Sequence, residues 1–180
     1  MAVKNFWSLN VDEAIVADKL QNELKKSNWE VFFPLRSQLK DIDLLLVNLK
    51  SKKTLTIQVK GSRTYTTNVR EIEQLGEGRT AWFTISKTKI FDTYFPVDYF
   101  IFLIHTESST REKQIIELHY LVMPINELQG IITKTGKRCN KDGNYDFYFR
   151  INTSKKSVCE HRERNNMVDY SKYLNNFDGF

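Results

Sequence analysis

Residues 41–62, DIDLLLVNLKSKKTLTIQVKGS, decide how this chain folds. Two apolar runs, Asp41–Leu49 and Thr54–Val59, flank the polar tip Lys50-Ser51-Lys52-Lys53, the pattern of a β-hairpin. Leu44-Leu45-Leu46-Val47 is apolar on both alternating faces, so this strand is expected near the centre of a sheet covered on both sides. With the tip symmetric about Ser51 and Lys52, Asp43 faces Lys60. Gln58 lies two residues before Lys60 and Asp41 two before Asp43, so these side chains share one face. The opposite face, Leu44, Leu46, Ile57 and Val59, is wholly apolar and belongs to the core. One face thus gathers carboxylate, carboxamide and ammonium groups.

Upstream, Asp12–Lys26 has Ile15, Val16, Leu20 and Leu24 at helical spacing, with Asn10 or Asp12 to cap its start. Trp29–Phe33 reads as a short edge strand stopped by Pro34. A covered sheet preceded by a helix argues for α/β layering. Downstream, Gly61–Thr80 is polar and reads as a loop with a helical piece around Val69–Leu75. Further strands are expected at Ala81–Ser86, Tyr99–His105, Glu117–Met123 and Tyr145–Ile151, and helices at Pro124–Ile132 and Met167–Phe177. Trp82, Phe83, Tyr94, Phe95 and Tyr99 are assigned to the core by default.

The 180 residues, 41% hydrophobic and 13% aromatic, suffice for one folded domain. That domain has a core at about 10–132 and a C-terminal elaboration at 133–180. No apolar run is long enough for a membrane span, and the N-terminus lacks a signal peptide's apolar region, so a cytoplasmic protein with no membrane partner is expected. Cys139 and Cys159 match no zinc spacing and no disulfide framework. His105, His119 and His161 form no HExxH, and no GxSxG, Walker A or GxGxxG motif is present. The formal net charge of +5 suits a polyanionic partner.

The hairpin set suits phosphodiester hydrolysis. A hard divalent cation takes oxygen ligands, which Asp43, the Gln58 side chain and the Val59 backbone carbonyl can supply. Lys60 can orient a water or stabilise charge developing on the phosphate. Read alone, Asp43 and Lys60 could equally form a cross-strand ion pair worth about 0.2–1 kcal/mol.

Asp43-Leu-Leu-Leu, a hairpin tip, then Ile57-Gln58-Val59-Lys60-Gly61-Ser62 resembles the D…(D/E/Q)xK signature of the PD-(D/E)XK, or restriction-endonuclease-like, nucleases. Glu13 followed by Val16 and Leu20 resembles that family's first helix, and Trp29-Glu30-Val31 its following strand. The resemblance covers residues 10–62 well and 80–105 loosely. Ile42 stands where the family's proline would be, and Gln58 replaces its second acid. The resemblance implies an α/β fold with a restriction-endonuclease-like mixed central β-sheet flanked by helices. It implies a Mg²⁺ (or Mn²⁺)-dependent DNA endonuclease, with Asp43, Gln58, Lys60 and Glu13 catalytic and Glu13 added to the metal ligands Asp43, Gln58 and Val59. Arg63, Arg70, Arg79, Lys87 and Lys89 would contact phosphates, against an ordinary role as solvated surface charges. Endonucleases of this size often act as homodimers, because cutting two strands needs two sites. Gln58 keeps a second reading in play: a catalytically inactive domain of this fold that binds nucleic acid or a protein partner.

Overall fold

The structure, a computed structural model, describes residues 10–34, 42–65, 69, 72–73, 76–92, 94, 97–109, 114–161 and 167–180. Asp41, Arg70 and Phe95 lie outside them. The chain is a mixed α/β fold dominated by β-structure, and no helix among the described residues is long and apolar enough to cross a membrane.

The first helix, α1 (Val11–Glu23), starts where the Asn10 side chain accepts the N–H of Asp12 at 3.1 Å. Its buried stripe of Val16, Ala17, Leu20 and Leu24 matches the expected spacing. Burying Val16 and Leu20 contributes about 1.5–3 kcal/mol each. Then come β1 (Trp29–Phe32), β2 (Leu44–Asn48) and β3 (Thr54–Tyr65), an antiparallel meander. The strand β4 (Arg79–Ser86) leads into a short helix, α2 (Lys87–Phe91). A long hairpin of β5 (Tyr99–Ser109) and β6 (Gln114–Pro124) follows, with β5 parallel to β3. Helix α3 (Ile125–Thr135) ends at Gly136, whose φ of 60° gives the left-handed turn that lets Lys137 N–H reach the carbonyl of Ile132. The strands β7 (Asn144–Asn152), β8 (Ser157–His161) and β9 (Met167–Asp169) and a 3₁₀ turn at Ser171–Tyr173 finish the chain.

β3 divides the molecule. From Ile57 to Arg63 it pairs with β5, whereas Thr64 and Tyr65 pair with β4, which continues into β7, β8 and β9. Alternation along β5 then fills two cores. Ile101 and Leu103 face α1 together with Leu44, Leu46, Ile57 and Val59. Phe100, Phe102 and Ile104 face the second half-sheet and α3, where Phe83 and Phe149 each meet Phe102 edge-on at 5.0 Å.

Four expectations are corrected. β3 does not stop at Gly61 but runs to Tyr65, because β5 and then β4 supply partners for its polar continuation. The expected helix over Met167–Phe177 is instead a strand, a turn and an extended tail. Tyr170 and Tyr173 fill one core and Phe177 the other, so the segment must wrap around β6, which a straight helix could not do. Asn175 exchanges hydrogen bonds with the backbone of Tyr120 there and covers that edge. Trp82 and Tyr94 are exposed rather than core, whereas Phe83 is buried and Tyr99 half-buried. β8 and α2 were not anticipated.

One ion pair is fully enclosed. Lys137 Nζ lies 2.5 Å from Glu160 Oε1, which also accepts the Tyr148 N–H, while Oε2 accepts the Tyr170 hydroxyl. Removing one partner strands a buried charge. Glu160→Leu is expected to cost about 3–5 kcal/mol in urea unfolding. Adding Lys137→Met to that chain should restore part of the loss, because the stranded Lys137 charge is then removed while the Tyr148 N–H and the Tyr170 hydroxyl still lack the Glu160 acceptor.

Candidate active site

The hairpin register differs from the expected one. Leu44 pairs with Ile57 and Val47 with Thr54, two residues away from a tip centred on Ser51 and Lys52. Asn48 sets this. Its side-chain oxygen accepts the N–H groups of Lys50 and Ser51 at 3.1 and 2.9 Å, and its backbone pairs with Lys53 and Lys52. The loop is therefore Leu49–Lys52, with Lys52 at a φ of 60°. A slip of two residues preserves which face each side chain occupies. The apolar face therefore holds as expected, but Asp43 does not stand across from Lys60.

Asp43 instead meets the stretch Ile57–Val59. Its N–H donates to the Ile57 carbonyl at 2.9 Å, and its Oδ2 accepts the Val59 N–H at 2.7 Å. The carboxylate thus takes an acceptor's place just past the last β2 pair. A residue in a strand sends its N–H and C=O to the same edge, so the Val59 carbonyl points to this edge as well. Gln58 and Lys60 pair with Phe100 and Phe102 of β5 and so lie on the face away from α1. Lys60 and Asp43 are half-buried, and Gln58 is 1% exposed. The side-chain Oε1 of Gln58 has no hydrogen-bond partner among the described residues. An unsatisfied buried acceptor costs about 1–3 kcal/mol.

Asp43, Gln58 and the Val59 carbonyl are all hard oxygen donors, the kind a Mg²⁺-class cation takes. Among the described residues, no three His, Cys, Asp or Glu side chains cluster as metal ligands, so a cation here would draw on amide and backbone oxygens. The Gln58 orphan acceptor fits that role.

Glu13 lies in the first turn of α1, half-buried, on the helix that packs against the opposite face of the sheet. Its neighbour Asp12 lies against β3. A Cβ placed on Gly61 would lie 1.8 Å from Asp12 Oδ2, and Asp12 Oδ1 lies 3.0 Å from His105 Nε2. No local pattern could link Asp12 to His105. The glycine after Lys60 was the one available sign of a close approach.

The expected phosphate contacts separate. Arg63, exposed on β3, and Arg79, half-buried at the start of β4, flank the junction of those strands. Lys87 and Lys89 sit at the far end of β4, about 23 Å from Arg79 for an eight-residue strand. Near that junction, Arg150 and Asn152 of β7 hold the carbonyls of Gly76 and Glu77. Arg150 is buried, with Nε and Nη1 lacking hydrogen-bond partners among the described residues.

No protein-family model, curated protein or solved structure matches this chain.

Gly61→Ala is expected to lower the melting temperature by an amount equivalent to about 1–3 kcal/mol, since the new methyl collides with Asp12. In an Asp12→Ala background the same substitution should cost little. Thermal melts of the two single variants and the double variant measure the coupling.

Proposed function

We propose that this chain is a metal-dependent endonuclease of the restriction-endonuclease-like class, hydrolysing phosphodiester bonds in DNA. The observation that carries this reading is the buried Oε1 of Gln58, without a hydrogen-bond partner among the described residues, one residue from the Val59 N–H that the Asp43 carboxylate accepts. Natural structures leave few such atoms without a partner, and those that persist call for an explanation such as an ion. The helix–meander–parallel-strand order around this edge, a mixed sheet with α1 on one face, accords with the reading.

Asp43, Gln58 and the Val59 carbonyl would hold Mg²⁺ or Mn²⁺, and the family resemblance adds Glu13, from the first turn of α1, as a further carboxylate. When bound, such an ion polarises a phosphoryl oxygen and lowers the pKa of a water. The Val59 N–H fixes the orientation of the Asp43 carboxylate through one oxygen. Lys60, on the strand that carries Gln58, supplies the cation that stabilises charge developing on the phosphate. Arg63 and Arg79 would contact backbone phosphates on the side where β3 meets β4, and the net charge of +5 favours DNA approach. Lys87 and Lys89 would touch only a more distant part of the duplex.

The neutral Gln58, without a three-residue cluster of acidic or other metal-binding side chains among the described residues, favours a second reading: a domain of this class that binds nucleic acid without cutting it.

Supercoiled plasmid and a branched DNA junction, incubated with Mg²⁺ or Mn²⁺, separate the two. The nuclease reading expects metal-dependent nicking that falls at least about 100-fold in Asp43→Ala and in Lys60→Ala. Absence of cleavage on both substrates, with DNA affinity the same in wild type and both variants, would sink it in favour of the binding domain.

A further inference from the structure

The Asp12–His105 pair remains outside the proposed chemistry, yet it joins elements far apart in sequence. Asp12 follows the N-cap of α1, its N–H held by Asn10. One carboxylate oxygen is 3.0 Å from His105 Nε2 on β5, and the other rests against Gly61 of β3. The contact spans 93 residues of sequence and joins three elements. Both side chains are largely shielded from solvent, at 17% and 28% exposure for His105 and Asp12. The carboxylate fills the space that a side chain on Gly61 would need.

That seat is one residue from Lys60 on β3, and Asp12 is one residue from Glu13 on α1. The apolar stripe of α1 holds the helix through Val16, Ala17, Leu20 and Leu24, all beyond its first turn. The Asp12 carboxylate ties the first turn to two strands of the sheet. His105 occupies the register position across from Arg63, and its backbone carbonyl accepts the Thr64 hydroxyl, so its own place is set by the β3–β5 ladder.

We propose that His105 is a positioning residue. It holds the Asp12 carboxylate against Gly61 and thereby sets the first turn of α1, with Glu13, at the edge of β3 that carries Lys60. The pair acts on the site through the helix and touches neither metal nor substrate. This inference rests on the nuclease reading for its consequence, while the anchoring itself can be judged separately.

The test compares His105→Ala and His105→Gln with wild type, the glutamine keeping an N–H that can reach a carboxylate. Three readouts are taken: hydrogen exchange of the amides at 13–16, Mn²⁺ affinity by calorimetry, and kcat and KM for plasmid nicking. The expected result for His105→Ala is faster exchange, Mn²⁺ affinity and kcat each down about tenfold, and KM within about twofold of wild type. His105→Gln should recover most of the kcat loss. Unchanged exchange in His105→Ala overturns the proposal whether or not the protein cuts DNA. Faster exchange with unaltered Mn²⁺ affinity and kcat reduces the pair to a fold contact and overturns it too. A wild type that neither binds Mn²⁺ nor nicks DNA defeats the nuclease reading instead, and faster exchange then still supports the anchoring of α1 by His105.

Discussion

The parallel pairing of β3 with β5 is the constraint on which the rest of the structure depends. It gives the polar continuation of β3 a partner that the hairpin with β2 cannot supply, and so carries the strand through Lys60 and Gly61 to Tyr65. Because β5 is then covered on both faces, its alternation must be apolar in both directions. It buries Ile101 and Leu103 under α1, and Phe100, Phe102 and Ile104 under the second half-sheet. Only because β3 extends this far can β4 join it at Thr64 and Tyr65 and bring in β7, β8 and β9.

The same constraint makes the site. β2 ends its pairing at Leu44 while β3 runs on, so the edge of β3 beyond that point lacks a β2 backbone acceptor for the Val59 N–H. Asp43 fills that need with its carboxylate. A main-chain group that would otherwise be left unpaired thus orients an acid beside the amide of Gln58. The polar groups gather where the ladder stops, and the apolar ones fill the cores on either side. Gly61 continues this economy on the α1 face, where the absence of a side chain admits Asp12 and, through it, His105.

Two readings of local sequence were overridden for reasons of reach. Met167–Phe177 has helical periodicity, but its aromatic residues serve cores on opposite faces of the sheet, and only an extended path around β6 reaches both. Trp82 was placed in the core by default. It alternates with Ala81 and Phe83, which take the inward positions, and so stands outside, its ring parallel to that of Tyr148 at 6.1 Å. In each case the period was legible, but which side of which sheet it served was not.

The sequence by itself determined the helix–hairpin opening, the apolar face of Leu44, Leu46, Ile57 and Val59, and the presence of Asp43, Gln58 and Lys60 near one end of that hairpin. These follow from alternation and helical spacing, which are local properties of a chain. Only the tertiary structure decided that the Asp43 carboxylate accepts the Val59 N–H and that the hairpin register runs two residues from the symmetric one, since that required the side chain of Asn48 to close the turn. The burial of Gln58 without a partner for Oε1 among the described residues, and the joining of Asp12 to His105, were likewise settled there. Hydrogen bonds between residues far apart in sequence depend on which strands become neighbours, and no local pattern encodes that.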